Sequence, residues 1–203
     1  LEYNSCRYHI SQISSANSVD IIKERKNKVN FSCGVSINNL SLNENDIGDF
    51  KTFLKLSPPL RTETDRNALV QGLNDETIDV IVSDHKPEDE ENKRLTFAQA
   101  ETGASGIETL LPLSLELYHN GSVDLETIIK ALTSKPAEIL KINKGNLSTG
   151  NDADFCIVDI NKPWVVRKEK LISKSKNTPI EDKKLQGKVI STFVNGEELF
   201  KSE

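Results

Sequence analysis

Methionine is absent from the chain, and cysteine occurs only as Cys6, Cys33 and Cys156. An odd number of widely spaced cysteines fits reduced thiols better than a disulfide framework, and no CxxC or clustered Cys/His zinc pattern occurs. Reduced thiols in a cytoplasmic protein are the expectation. No run of about 18 apolar residues occurs, so no membrane-spanning helix is expected. An excess of positive charge is also missing: 26 Lys and Arg stand against 31 Asp and Glu, a net charge of −5. Neither nucleic acid nor an anionic membrane is therefore an expected partner. The chain starts Leu1–Glu2–Tyr3 with neither an initiator Met nor a signal peptide, so the expectation is an excised part of a longer protein.

What is present is ordinary globular composition, 36% hydrophobic and 28% charged over 203 residues, enough for one or two domains with real cores. The organising stretch is Asp79–Val80–Ile81–Val82–Ser83–Asp84–His85–Lys86–Pro87–Glu88. Its apolar run reads as a strand buried on both faces, stopped by an Asp-His pair at its carboxyl end, where α/β enzymes keep their chemistry. An ionised Asp84 there can ligate a metal or move a proton, and His85 can orient it or bond substrate. A plain Asp cap of the next segment is the competing interpretation.

Arg7–Ser14 alternates as a strand, and Ser14 or Ser15 caps a helix carrying Val19 and Ile22. Val29–Ser36 is a second strand leading into a polar loop, 38–48, after which Phe50–Leu56 is extended and Ser57–Pro58–Pro59–Leu60–Arg61 is held out of helix by its prolines. A helix through Asp65, Ala68, Leu69 and Leu73 precedes the organising strand. Three strands each followed by a crossover predict a parallel sheet. Glu88–Arg94 reads as a solvated loop, Gly103 and Gly106 open a helix over Ile107–Tyr118, and helices follow through Leu125–Leu132 and after Ser134. Beyond Asn146 the texture turns to β. Phe155–Asp159 is a strand, and Lys188–Val194 with Glu197–Phe200 forms a hairpin across a type I′ Asn195–Gly196 turn. A polar, Lys-rich arm over 162–186 lies between, with Trp164 clamping it to the body. His9 is expected to be a hydrogen-bonded core or interface residue, and His119 a helix C-terminal cap.

These residues together resemble the C-terminal part of a dihydroorotase of the amidohydrolase superfamily, of the multifunctional-type class. The resemblance lies in Tyr8–Ser14, Ser57–Arg61, Ile81–Pro87, Gly103–Leu111, Asn146–Asp159, and Ser173–Pro179 with Leu185–Gln186–Gly187, all in family order. It implies the last three strands and helices of a (β/α)8 TIM-type barrel over 1–145 and a β-sandwich segment over 146–203 carrying the extended arm. It implies reversible closure of N-carbamoyl-L-aspartate to dihydroorotate in pyrimidine synthesis, with zinc as cofactor and Asp84 as proton shuttle and last-strand ligand. Arg61, Ser57, His85 and Gly103 fall on the substrate side.

Several positions depart from the family's pattern. Gln12 stands where the family has a zinc-binding His, Ser57 where it has a substrate-contacting Asn, and Glu88 where it has a substrate-side His. Asn38 and Asn39 replace a His pair. An amide is a poor zinc ligand, and a carboxylate at Glu88 repels a dicarboxylate. Arg61 could hold a carboxylate; bracing its loop against Glu63 or Asp65 is preferred. Two functions remain open: a pseudo-enzyme serving as a scaffold for aspartate carbamoyltransferase, and a zinc amidohydrolase whose other ligands lie upstream. A partial barrel also exposes sheet edges, so the expected partners are the missing N-terminal part or a further copy of the chain in a homo-oligomer.

Overall fold

The computed structural model of the chain describes residues 6–26 and 28–202. Its first layer is a three-stranded parallel sheet in the order β1 (Tyr8–Ile13), β2 (Phe31–Ser36), β3 (Val80–Val82). The register pairs Tyr8 with Phe31, Ile10 with Cys33, Gly34 with Val80 and Ser36 with Val82. Parallel strands need crossovers, and helices supply them. α1 (Ala16–Arg25) follows β1 and is capped by Ser15, whose side chain accepts from the Ser18 N–H. α3 (Glu63–Asn74) precedes β3 and is capped by Thr62. Val19 and Ile22 from α1 and Leu69, Val70 and Leu73 from α3 are all buried with Val35 and Ile81 of the sheet and Ile78 just before β3. Each such side chain contributes about 1.5–3 kcal/mol by leaving water.

α5 (Leu110–His119), α6 (Leu125–Leu132) and α7 (Ser134–Leu140) follow. Pro112 lies in the first turn of α5, where its missing N–H interrupts no ladder. The second layer is an antiparallel sheet of β4 (Phe155–Val165), β5 (Lys184–Val194) and β6 (Glu197–Lys201), with β5 central. Asn195 and Gly196 both have positive φ, 51° and 81°, as the type I′ hairpin turn requires. α5 packs against β5, and Leu113 and Leu115 are fully buried.

Four local expectations are corrected. The stretch after β2 is not a polar loop: Ile37–Ser41 forms a one-turn helix, α2, with Asn38 and Asn39 buried. Phe50–Leu56 is not extended throughout, because Thr52–Leu54 makes a 3-10 turn. Glu88–Arg94 is not simply solvated. It contains α4 (Glu90–Lys93), and Lys93 is 2% exposed, its ammonium donating to the carbonyls of Thr52 and Glu101 at 3.2 and 2.7 Å. The Lys-rich stretch is shorter than expected, because β4 reaches Val165 and β5 starts at Lys184. Between them runs a strap whose Val166, Leu171, Asn177, Thr178 and Ile180 are buried. Trp164 bonds across the β-sheet, its Nε1–H donating to the Gly187 carbonyl at 3.1 Å.

Candidate functional site

The three parallel strands each deliver one polar side chain at their carboxyl ends: Gln12 from β1, Ser36 from β2 and Asp84 just past β3. Gln12 Nε2 donates to Asp84 Oδ1 at 2.9 Å. Ser36 is fully buried beside it, and its Oγ accepts from the Asn38 N–H at 3.2 Å. Asp84 has φ 49°, in the left-handed region, where the chain turns sharply out of the strand. Its carboxyl is half-buried and its pKa is pushed up by desolvation, against the opposing pull of the Gln12 and Ser36 hydrogen bonds and the Lys86 charge. Such a group is suited to accepting and returning a proton.

His85 is turned to the other side of the mouth. Its Nδ1 accepts the Gly106 N–H at 3.1 Å, and the chain at His85 bridges to Ala104 in parallel, with the Lys86 N–H donating to the Ala104 carbonyl at 2.8 Å. The 103–106 loop lies so close to this segment that no side chain fits at its two glycines. A Cβ on Gly103 would sit 2.5 Å from the Lys86 carbonyl oxygen, and one on Gly106 would collide with the Ser83 carbonyl oxygen. Both backbone polar groups of Gly103 are engaged within the protein, its N–H by the Lys55 carbonyl and its C=O by Asn177. Gly103 therefore shapes the loop.

The structure brings Gln12 and Asp84 together, while His85, next to Asp84 in the chain, bonds the Gly106 N–H instead. Ser57 is exposed, joined to Pro58 by a cis peptide bond. Arg61 Nε donates to Ser14 Oγ at 2.9 Å, just past β1, and its charge is among the influences that hold the Asp65 carboxyl down. Glu63 pairs with Arg66, which holds its carboxyl down to about 2, and Asp65 accepts from Thr62 and from the Ala16 N–H. Glu88 is half-buried in a cleft of about 520 Å³ with Pro87, Lys174 and Asn177. His9 is exposed rather than a core residue and shares a 2.8 Å hydrogen bond with Ser32, its register partner on β2. His119 closes α5 and bonds the Ile160 carbonyl at 2.9 Å.

Sequence reasoning missed Ser36, Lys93 and the role of Asn177. Ser36 carried a usable signal, since it ends a strand one register step from the Asp84 strand. Among the described residues no group of three or more His, Cys, Asp or Glu side chains comes together to hold a metal ion. Asp84 is one good donor, and Gln12 presents an N–H to it rather than a lone pair, so the donor set of this chain by itself does not fit a zinc ion. Cys6, Cys33 and Cys156 are all free thiols, and among the described residues no helix is long and apolar enough to cross a membrane.

The family model described as the amidohydrolase family matches residues 3–199. The dihydroorotase of Ehrlichia canis (strain Jake) is 44% identical over 190 residues, 93% of this chain and 42% of that protein. The dihydroorotase of Anaplasma phagocytophilum (strain HZ) is 39% identical over all 203 residues, 45% of its own length. Among solved structures, the L-hydantoinase (dihydropyrimidinase) from Arthrobacter aurescens superposes with a TM-score of 0.92 at 26% identity, covering 97% of this chain and 45% of that one. Dihydropyrimidinase from Brevibacillus agri NCHU1002 gives 0.89 at 23%, a likeness of fold alone. The chain spans a little under half the length of the curated relatives it matches.

Proposed function

This chain belongs to the amidohydrolase family, and on that premise we propose that it is the C-terminal portion of a dihydroorotase-type cyclic amidohydrolase of pyrimidine synthesis. Its parallel sheet would be the last three strands of a (β/α)8 barrel and its antiparallel sheet a β-sandwich segment, in a cytoplasmic protein. The observation that carries the proposal is Asp84, a partly desolvated carboxylate at the mouth of the last parallel strand, held by Gln12.

In the hydrolytic direction Asp84 takes the proton of the attacking water and returns it to the ring nitrogen as the C–N bond breaks; cyclisation runs the same transfers backwards. The Gln12 amide fixes the carboxylate's orientation and leaves its remaining lone pairs to face the mouth. His85, set by the Gly106 N–H, lines the opposite wall. Zinc, the cofactor the family implies, would polarise the amide carbonyl when bound, and its remaining ligands would come from outside these 203 residues. Gln12 weakens that hold and Glu88 opposes a dicarboxylate, so slow turnover is part of the proposal. A scaffold role beside aspartate carbamoyltransferase is the reading that follows if turnover is lost altogether.

The test is dihydroorotate hydrolysis and carbamoyl-aspartate cyclisation by the intact protein at saturating zinc, beside Asp84→Asn. Weak turnover that Asp84→Asn lowers a further ~100-fold or more supports the assignment. Turnover insensitive to Asp84→Asn overturns the role of Asp84. No turnover leaves the scaffold, which co-sedimentation with purified aspartate carbamoyltransferase then decides.

A further inference from the structure

We infer that Asn177, on the strap between β4 and β5, is a positioning residue that holds the two loops forming the mouth of the site. This deepens the reading above and rests on it only for the choice of ligand. Asn177 is 3% exposed, and both ends of its carboxamide are used. Nδ2 donates to the Gly103 carbonyl at 3.1 Å. Oδ1 accepts the Glu88 N–H at 3.4 Å and lies 3.0 Å from the Ser105 hydroxyl, with the Ser175 hydroxyl also against it. Its backbone carbonyl accepts the Ser105 N–H at 3.2 Å. Ser175 adds a 2.6 Å bond to the Glu88 carbonyl.

The orientation of this carboxamide is forced. Reversed, it would set an N–H against the Glu88 N–H and an oxygen against the Gly103 carbonyl, two repulsive contacts in place of two bonds. The consequence reaches the chemistry through a short contiguous path. Asn177 fixes the 103–106 loop, the Gly106 N–H fixes His85 Nδ1, and the Ala104 carbonyl fixes Lys86, two residues past Asp84. No other side chain from the strap bonds both the 85–88 segment and the 103–106 loop among the bonds described. A residue some ninety positions downstream of Asp84 thus sets where the wall opposite it stands, and substrate fit follows from that wall.

Asn177→Asp tests this in the intact protein, because it keeps the acceptor and the shape while removing the donor to Gly103. Hydrogen exchange of the 84–88 and 103–106 segments is expected to quicken about tenfold or more in both. For dihydroorotate, KM is expected to rise about tenfold with kcat changed less than about twofold, a split that a loss of global stability alone does not produce. Quicker exchange confined to the strap, or an unchanged KM, overturns the inference. Should Asn177→Asp fail to fold, exchange of the wild-type protein with and without dihydroorotate decides: slowing of both segments supports the coupling, and slowing of 84–88 alone sinks it. A wild type that neither turns over nor binds dihydroorotate defeats the catalytic reading, yet the exchange comparison between wild type and variant still stands.

Discussion

Gln12 Nε2 lies 2.9 Å from Asp84 Oδ1 and donates to it, so the carboxylate at the last parallel strand is met by a neutral N–H. A hydrogen bonded to that lone pair leaves it unable to bind a cation. Gln12→His replaces the donor by an imidazole that can present a nitrogen lone pair at the same strand end. The intact protein carrying Gln12→His is expected to gain about one equivalent of zinc over wild type after dialysis against low free metal, by elemental analysis. Equal zinc content in the two proteins would show that the amide does not limit metal binding.

Gly106 is required by space rather than by backbone angle, since its φ of −138° is open to any residue. A Cβ there meets the Ser83 carbonyl oxygen. Gly106→Ala should cost about 2–4 kcal/mol in urea unfolding and loosen the Gly106 to His85 bond. Gly121 is the opposite case: nothing lies within 4 Å of its added Cβ, but its φ is +73°. Gly121→Ala should cost only about 1 kcal/mol. The argument fails if the two substitutions cost the same.

Asp79 immediately precedes β3, with a carboxylate shared between the Cys33 N–H at 2.8 Å and the Lys26 ammonium at 2.8 Å. Lys26 also reaches the Thr77 carbonyl, so the ion pair ties the end of α1 to the turn before the strand. The Asp79 side chain is 15% exposed, enough burial for its removal to leave Lys26 and a sheet N–H poorly compensated. Asp79→Ala is expected to cost about 2–4 kcal/mol. A loss below 1 kcal/mol would mean that water takes over both groups.

The parallel sheet was legible because its signals are local: apolar strand runs, Ser15 as a cap, prolines that forbid helix. The hairpin was legible for the same reason, since Asn195–Gly196 dictates its turn. Asp84 and His85 stood out by sitting where an apolar run stops. What stayed hidden depends on contacts across long separations. Lys93 looked solvated because lysine usually is, and only the carbonyls of Thr52 and Glu101, brought to it by the fold, make its burial possible. The strap looked like a polar arm because its lysines dominate the composition, while the residues that anchor it, Asn177 and Thr178, are small and polar. Arg61 was expected to brace its loop against Glu63 or Asp65; its hydrogen-bond partner Ser14 lies 47 residues away, and no local pattern points to it.

Burial also makes Lys93 a probe of pH. Its pKa is pushed down from the ordinary lysine value of 10.5 to about 8, chiefly by desolvation and further by the charges of Lys55 and Lys86, with Glu88 and Glu101 pulling the other way. Below about pH 8 the folded and unfolded chains both carry the proton, so the burial penalty is present in full. Between about 8 and 10.5 the unfolded chain binds more protons than the folded one, and stability contributed at this site must rise with pH across that window. The sign is opposite to that of a surface lysine in an ion pair. Lys93→Met removes the titration, so the difference in unfolding free energy between wild type and Lys93→Met should shift in favour of wild type from pH 7.5 to pH 10. Urea denaturation at several pH values in that range measures it. A difference that stays flat would mean that the ammonium keeps its ordinary proton affinity, with water reaching it through the 52–55 and 98–101 segments.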